Sequence, residues 1–261
     1  MEGFGTALAL GDVDGDGRTD LVAAGPPVGA DPGHVYICRG GRRAPSRCRA
    51  LAAAAEGAAV LALGDVTGDG RPDIVGGLPH QGATTPGSDS GPGAVRIWPG
   101  TRTGPSRRPR LLTQESASVP GNDQAHDEFG ASLAVGDLDR DGHADLLIGA
   151  PGEDRAGGRV TLVRGARRGA APVGNHELHQ NLPAVPGRRV PGRRFGADVA
   201  VLDVDGDDRL DLAVAMPDPS GARLFVFRGA GNGFFSKVER RRLAGRTNAD
   251  AGVALGHNPV P

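Results

Sequence analysis

Lysine is almost absent from this sequence: Lys237 is the only one, although lysine and arginine together number 30. The formal net charge is −1, so the chain lacks the excess of positive charge that marks nucleic-acid-binding surfaces. Short arginine clusters such as Arg193-Arg194 and Arg240-Arg241-Arg242 are typical of solvated loops and edge strands. We therefore expect no nucleic-acid partner.

Long apolar segments are missing as well. No stretch approaches the roughly 20 apolar residues that a membrane-spanning helix needs. The start, Met1-Glu2-Gly3-Phe4, has neither the charged beginning nor the apolar core of a signal peptide. We expect no membrane span and no signal peptide in this chain, which predicts a cytoplasmic protein or one whose true N-terminus lies upstream.

The only two cysteines are Cys38 and Cys48, on segments predicted to be neighbouring antiparallel strands. In an exported protein they are candidates for a cross-strand disulfide. The alternative is a pair of small buried apolar side chains. Without further Cys or His at zinc-binding spacing, they do not indicate a metal site.

Glycine and proline are plentiful, at 44 and 21 residues, and the glycines recur at fixed places beside apolar runs. This pattern indicates many tight turns within a repeated unit. Unequal spacing between otherwise constant motifs places the inserted residues in loops. Four copies are recognisable: FGTALALGDVDGDGRTDLVAAGPP (4–27), EGAAVLALGDVTGDGRPDIVGGLP (56–79), FGASLAVGDLDRDGHADLLIGAP (129–151) and FGADVAVLDVDGDDRLDLAVAMP (195–217).

Each copy contains two short apolar runs that flank an acidic loop, which predicts a β-hairpin. A third run follows after a glycine-rich turn, and a weaker, more polar run completes the unit as an outer edge strand. Four antiparallel strands repeated in this way predict an all-β protein built from propeller blades. A two-layer sandwich would not repeat the same loop after every fourth strand. The third runs are 34–38, 94–98, 158–165 and 222–229, and the fourth are 49–53, 110–113, 176–179 and 238–243.

The acidic loops carry aspartates at positions 1, 3, 5 and 9, and such a cluster repels itself unless a cation binds. Calcium accepts 6 to 8 oxygen ligands in flexible geometry, whereas magnesium prefers a stricter octahedral shell. We predict up to four Ca²⁺ ions, with position 7 contributing a backbone carbonyl; the alternative is a plain turn without an ion. The predicted ligands are Asp12, Asp14, Asp16, Arg18 and Asp20; Asp65, Thr67, Asp69, Arg71 and Asp73; Asp137, Asp139, Asp141, His143 and Asp145; and Asp203, Asp205, Asp207, Arg209 and Asp211.

The four loops are not equivalent. Thr67 occupies position 3 of the second loop, which keeps an oxygen but loses a charge. Asp208 stands at position 6 of the fourth loop, where the others have the turn glycine; aspartate tolerates the left-handed conformation better than most residues. We predict tighter binding at the first and third loops than at the other two.

The combination of Phe-Gly, an acidic loop and Gly-Ala-Pro resembles the FG-GAP repeat of integrin α-subunit propellers and related bacterial proteins. Phe-Gly occurs three times, with Glu56-Gly57 as a departure, and Gly-Ala-Pro is complete only at Gly149-Ala150-Pro151. The resemblance implies a calcium-stabilised, usually exported β-propeller at the cell surface or outside the cell, whose loops bind protein or carbohydrate. It covers essentially residues 1–261, taken as one domain with repeats at about 1–55, 56–128, 129–194 and 195–250.

Integrin-type propellers have seven blades, whereas this sequence shows four repeats and, within 251–261, the start of a further repeat or a closing strand. The sequence leaves three alternatives: the chain is a fragment or a mis-started gene product, it closes with four or five blades, or it pairs with another chain. An incomplete propeller would expose sheet faces and self-associate.

The seven histidines are scattered and form no catalytic constellation, so we expect a binding module without its own enzyme activity. His176 and His179 lack the spacing of a zinc-protease pair on a helix. The binding function is expected on the long loops 79–93, 114–128 and 182–194, which on a propeller gather opposite the acidic hairpins; alternatively, these loops are unselected inserts. The alternative function is the propeller portion of a secreted, phospholipase-like hydrolase with catalysis elsewhere.

Overall fold

Sixteen β-strands and one four-residue helical turn make up the regular structure of the described residues. The computed structural model describes residues 5–25, 33–41, 46–51, 57–83, 90–117, 119–167, 175–218, 221–230 and 235–243. The strands are β1 Ala7–Gly11, β2 Asp20–Gly25, β3 His34–Arg39, β4 Ser46–Ala50, β5 Val60–Gly64, β6 Asp73–Leu78, β7 Ala94–Trp98, β8 Arg110–Leu112, β9 Ser132–Gly136, β10 Asp145–Ala150, β11 Arg159–Val163, β12 His176–Leu178, β13 Asp198–Leu202, β14 Asp211–Asp218, β15 Gly221–Gly229 and β16 Phe235–Leu243.

The strands form four antiparallel sheets of four, each in sequence order: β1 to β4, β5 to β8, β9 to β12 and β13 to β16. This confirms the predicted all-β fold with four blades. The turn α1 (Glu153–Ala156) contains left-handed residues at Asp154 and Arg155, so it is a loop feature and not a packed helix. In the first blade the fourth strand lies at Ser46–Ala50, earlier than the predicted 49–53, and its pairing with β3 shifts register between Ile37 and Arg39.

Consecutive sheets pack face to face around their innermost strands, so that β1 contacts β5, β5 contacts β9 and β9 contacts β13. Three apolar cores fill the spaces between the four blades. Within the described ranges no comparable contact joins β13 back to β1, so these four blades form an open arc. The predicted start of a fifth repeat, 251–261, lies outside the described residues.

The Phe-Gly and Gly-Ala-Pro motifs meet between neighbouring blades. Phe129 is fully buried and pairs through a backbone bridge with Gly93 of the preceding blade. A Cβ atom added to Gly77 would lie 2.0 Å from the carbonyl oxygen of Gly130, and one added to Gly149 would lie 2.2 Å from that of Gly196. The glycines of both motifs are therefore needed for the close approach of one blade to the next.

The innermost strand of the first blade has an uncovered apolar face. Leu8 is 61% exposed and Leu10 is 56% exposed, whereas Leu61 and Leu133, which correspond to Leu8 in the next two blades, are 3% and 0% exposed. The preceding sheet covers this position in those blades, and none of the described residues covers it in the first.

The two cysteines form a disulfide between β3 and β4, Cys38 to Cys48. It closes a loop with a sequence separation of 10 residues and ties the outer edge strand of the first blade to its neighbour. Of the two alternatives that the sequence left open, the structure has the disulfide.

Candidate metal centre

The four acidic loops connect the first and second strands of each sheet. We number them acidic loops 1 to 4, with positions 1–9 running from Asp12 to Asp20, from Asp65 to Asp73, from Asp137 to Asp145 and from Asp203 to Asp211. Because each sheet is antiparallel and in sequence order, all four loops lie at the same end of the blades.

The position-1 aspartate folds each loop around its own carboxylate. In acidic loop 1, Asp12 Oδ1 accepts hydrogen bonds from Gly15 N at 2.7 Å and Asp16 N at 3.1 Å, and its Oδ2 accepts one from Gly17 N at 2.8 Å. Asp203 accepts the corresponding three bonds in acidic loop 4. These hydrogen bonds fix the backbone of the loop without any contribution from a bound ion.

The structure brings the aspartates at positions 1, 3 and 9 together. In three loops, one carboxylate oxygen from each of these positions lies within 4.8 Å of the others. Within the described part of the chain these are the only groupings of three or more His, Cys, Asp or Glu side chains close enough to share an ion. They are Asp12, Asp14 and Asp20; Asp137, Asp139 and Asp145; and Asp203, Asp205 and Asp211.

The position-9 aspartate is buried in every blade and joins the acidic loop to the end of the third strand. Asp20 Oδ2 accepts a hydrogen bond from Val13 N at 3.1 Å, and its Oδ1 accepts one from Gly40 N at 2.7 Å. The same glycine bond reaches Asp73, Asp145 and Asp211 at 2.7, 3.0 and 2.8 Å. Burial raises the pKa of Asp20, and raises that of Asp145 to about 6, with the charges of Asp137 and Asp141 adding to the effect.

The position-3 aspartate is also withdrawn from solvent in acidic loops 1 and 3, where its side chain is 7% and 3% exposed. Asp14 Oδ2 pairs with Arg39 Nε at 3.0 Å. Its other oxygen, Oδ1, is buried and has no hydrogen-bond partner among the described residues.

The position-5 aspartates lie outside these groups. Asp16 Oδ1 accepts a hydrogen bond from Arg18 N at 2.9 Å, two residues on, and the same bond recurs in the other three loops. The position-7 arginines of loops 1, 2 and 4 turn back to these carboxylates at 3.5 to 3.8 Å. Position 5 therefore closes the turn in this structure, and the full set of twenty predicted ligands remains a prediction.

Acidic loop 2 uses a hydroxyl where the others use a carboxylate. Thr67 Oγ1 donates to Asp73 Oδ1 at 3.2 Å, and Thr67 N donates to Asp73 Oδ2 at 2.8 Å. Asp65 still accepts the N–H groups of Asp69 and Gly70. The loop has the common fold with one negative charge fewer.

Two loop positions require the left-handed conformation, and the sequence pattern revealed only one of them. At position 6, Asp208 of acidic loop 4 has a φ of 62° and so shares the left-handed conformation of the glycines in the other loops, as expected for an aspartate that replaces the turn glycine. Position 4 is left-handed too, and there acidic loop 3 has Arg140 with φ 61°. The glycines Gly15, Gly68 and Gly206 at position 4 of the other loops were the sequence signal that could have revealed it.

The loops between blades, at the opposite end, contain a repeat that was not recognised in the sequence. Gln114 and Gln180 are both buried, and each is followed by the same Val-Pro-Gly segment. Gly121 and Gly187, which end these segments, have φ of 115° and 108°, and a Cβ on either would come within 3.3 Å of the glutamine Nε2. Part of loops 114–128 and 182–194 is therefore framework and not free insert.

A buried carboxyl pair lies beside this framework. Asp127 and Glu153 are both buried, Gln114 Nε2 donates to Glu153 Oε2 at 3.0 Å, and Arg159 Nη2 lies 3.0 Å from Glu153 Oε1. Burial, followed by the charge of Glu153, raises the pKa of Asp127 to about 7. Asp127 therefore keeps its proton to a higher pH than an ordinary aspartate.

The residues at acidic loops 1, 3 and 4 fit a hard divalent cation. All donors are oxygens, three carboxylates converge, and Asp14 Oδ1 is a buried oxygen that lacks a donor. Unpaired buried carboxylate oxygens are costly, and a cation is the ligand that removes this cost. His176, by contrast, is the first residue of strand β12 and His179 follows the end of that strand, so they do not form the helical pair of a zinc protease.

No helix in the described part of the chain has the length and apolar character needed to cross a bilayer.

Comparison with known proteins identifies the repeat. Residues 129–163 match the FG-GAP repeat, and residues 12–76 match an FG-GAP-like repeat. Human phosphatidylinositol-glycan-specific phospholipase D is 38% identical over 109 residues, covering 39% of this chain and 12% of that protein. Integrin alpha-PS2 of Drosophila melanogaster is 34% identical over 172 residues, covering 59% and 12%.

Integrin alpha pat-2 of Caenorhabditis briggsae is 33% identical over 224 residues, covering 81% of this chain and 18% of that protein. The matched region is thus less than a fifth of the length of each of these three relatives. Three findings point to the same family. Both repeat forms match, each of the four sheets has an acidic hairpin, and an integrin relative matches along 81% of the chain. This chain is an FG-GAP repeat protein that resembles the β-propeller of integrin α-subunits.

Proposed function

We propose that the chain is a calcium-binding propeller module that acts outside the cell in binding or adhesion. The observation that carries the calcium part is the convergence of positions 1, 3 and 9 in three acidic loops. When bound, Ca²⁺ would supply positive charge and coordination for these oxygens. The chain's own residues fold each loop, through the position-1 aspartate, and bind it to the third strand, through the position-9 aspartate.

The expected order of affinity follows from the number of charges and from the turn conformation. Acidic loops 1 and 3 keep four aspartates with glycine at position 6, and acidic loop 2 has Thr67 in place of one carboxylate. Acidic loop 4 keeps four aspartates but has Asp208 in the left-handed position. We place loops 1 and 3 above the other two.

Ligand recognition is assigned to the opposite end of the blades, on loops 79–93, 114–128 and 182–194, with a protein or a carbohydrate as the ligand. The naming of two relatives as integrins supports a binding role. The Cys38–Cys48 disulfide supports an oxidising compartment, in which such bonds persist. A rigid scaffold with loops at one end is a common way to build a binding surface.

A second candidate function is the propeller portion of a larger hydrolase. The match to a phospholipase D favours it. Turnover of esterase, phosphodiesterase or glycosidase substrates by this chain, abolished by His126→Ala or His179→Ala, would favour an enzyme. Absence of turnover together with saturable binding to an immobilised protein or glycan panel would favour the binding module.

The calcium proposal is tested by thermal unfolding in excess chelator and in excess calcium. A cation that binds only the folded state at about 100 times its Kd stabilises by about 2.7 kcal/mol per site. For a chain of this size we expect the Tm to rise by ~5–10 °C for each occupied site. Asp137→Asn should reduce the calcium-dependent rise and remove one site from the stoichiometry measured by titration calorimetry.

Glu115→Gln, an exposed acid outside the acidic loops, is the matched control and should leave both quantities unchanged. A melting curve that is the same in chelator and in calcium would sink the calcium proposal.

A further inference from the structure

The third strands of the four blades end in two different ways. In blades 1, 3 and 4 the residue before the closing glycine is arginine: Arg39, Arg164 and Arg228. In blade 2 this residue is Pro99. The same blade is the one with Thr67 instead of aspartate at position 3, so the arginine is present where the position-3 carboxylate is present and missing where it is missing.

The structure shows why the two positions change together. Arg39 Nε lies 3.0 Å from Asp14 Oδ2, and Arg164 pairs with Asp139. In blade 4, Arg228 Nη1 lies 3.4 Å from Asp205 Oδ2 and 2.8 Å from Asp211 Oδ2. Each arginine lies 23 to 25 residues after the position-3 aspartate in the chain and places its guanidinium on the acidic cluster.

The ion pair of the arginine with the position-3 aspartate has no net charge. Blade 2 lacks both residues, so its site has the same net charge as a site that keeps both. Its remaining polar group is satisfied locally, because Thr67 Oγ1 donates to Asp73 Oδ1. The arginine therefore accompanies the position-3 carboxylate in three blades, and in blade 4 it contacts the position-9 carboxylate of Asp211 as well.

A guanidinium in this place has opposite effects on the loop with and without a metal ion. Without the ion, it offsets the repulsion among three carboxylates that lie within 4.8 Å of each other. With a divalent cation nearby, it adds cation–cation repulsion, and it occupies Asp14 Oδ2 while leaving only Oδ1 for the ion.

We propose that Arg39, Arg164 and Arg228 are resident counter-ions of the acidic loops, which keep the loops folded without calcium and lower their affinity for it. The inference rests on the proposed calcium function and adds its regulation: affinity at loops 1, 3 and 4 is set by an arginine on the third strand. These loops then respond to calcium in a higher concentration range than their aspartates alone would set.

The test uses Arg39→Met and Arg164→Met, alone and combined, because methionine keeps an apolar stem without the charge. In chelator, the Tm should fall in each single variant and fall further in the double. Calorimetric titration with CaCl₂ should show the tightest sites binding about tenfold more tightly in the double variant than in wild type. Arg39→Lys, which restores a charge, should return both quantities towards wild type.

Arg223→Met is the control, since Arg223 lies near the start of the third strand β15 and pairs with Asp218 at 2.8 Å, at the end of the blade opposite the acidic loop. It should leave calcium affinity unchanged. Unchanged or weaker calcium affinity in the double variant overturns the inference while leaving the calcium proposal intact. A wild-type chain that takes up no calcium overturns the calcium proposal and the affinity effect together. An unchanged Tm in chelator overturns the counter-ion role directly.

Discussion

The aspartates of this chain have different roles, which depend on how deeply each carboxylate is buried and on which groups donate hydrogen bonds to it. Asp145 is buried and accepts N–H groups from Leu138 and Gly165, so it joins two parts of a blade. Asp141, four residues earlier, is exposed and accepts the N–H of His143, which closes the turn. Asp127 is a third case, because its neighbour is another buried carboxyl, Glu153.

The Asp127–Glu153 pair predicts a dependence of stability on pH. The pKa of Asp127 rises from an ordinary value of 3.8 to about 7, first through burial and then through the charge of Glu153. The folded state thus binds more protons than the unfolded state between these values, and stability falls as pH rises from about 4 to 7. Asp127→Asn imitates the protonated acid, so we expect it to raise the free energy of unfolding at pH 8 by about 1–3 kcal/mol.

Urea unfolding at pH 4.5 and pH 8 measures this effect. Wild type and variant should be nearly equal at pH 4.5, where Asp127 is protonated in the folded state. A variant that is less stable than wild type at pH 8 would show that the ionised carboxylate is needed there.

At the scale of the blade, the acidic hairpin and the end of the third strand form one unit. The glycine that donates to the position-9 aspartate also lies directly against the backbone of position 8. In blade 3 an added Cβ on Gly165 would be 2.3 Å from the carbonyl oxygen of Ala144. The corresponding distances for Gly40, Gly100 and Gly229 are 2.4, 2.6 and 2.5 Å.

Gly165→Ala should therefore destabilise the chain, because the obstructing atom is backbone and cannot turn away. We expect a loss of about 1–3 kcal/mol, the usual range for overpacking, measured in chelator so that metal binding does not contribute. Gly11→Ala is the matched control: its Cβ would meet only the tip of Leu63, at 2.9 Å, which can move. Equal losses in the two variants would contradict the proposed contact.

For the whole molecule, the described residues form an open arc of four blades in which no described sheet packs against the outer face of the first blade. Leu8 and Leu10 project from β1 into solvent, whereas Leu61 and Leu133 are covered by a neighbouring blade of the same repeat. A second copy of the chain offers sheets of this same type. We therefore propose that copies associate through the face that carries Leu8 and Leu10.

Sedimentation velocity over a range of protein concentrations tests this association. The sedimentation coefficient of the wild type should rise with concentration, and the double variant Leu8→Glu/Leu10→Glu should show no rise. Leu111→Glu is the control, since Leu111 is also exposed but lies on the outer strand β8. A wild type that shows no concentration dependence would exclude this interface.

Much of the fold and part of the site follow from local sequence. Alternating apolar runs, the acidic loop and the Phe-Gly motif lie within short segments, and strand and turn preferences act over such distances. The four blades, the hairpins and the left-handed position 6 could therefore be predicted. The buried Gln114 and Gln180 could also have been found, because the same Val-Pro-Gly segment follows both.

Other features depend on contacts between distant segments, and only the tertiary structure decides them. Positions 1, 3 and 9 converge while position 5 turns away, because the buried position-9 aspartate is drawn to the end of the third strand. The ion pair of Arg39 with Asp14 and the exposure of Leu8 likewise depend on strand packing and on the neighbouring blade. The residue pattern specifies which groups are present, and packing specifies which of them meet.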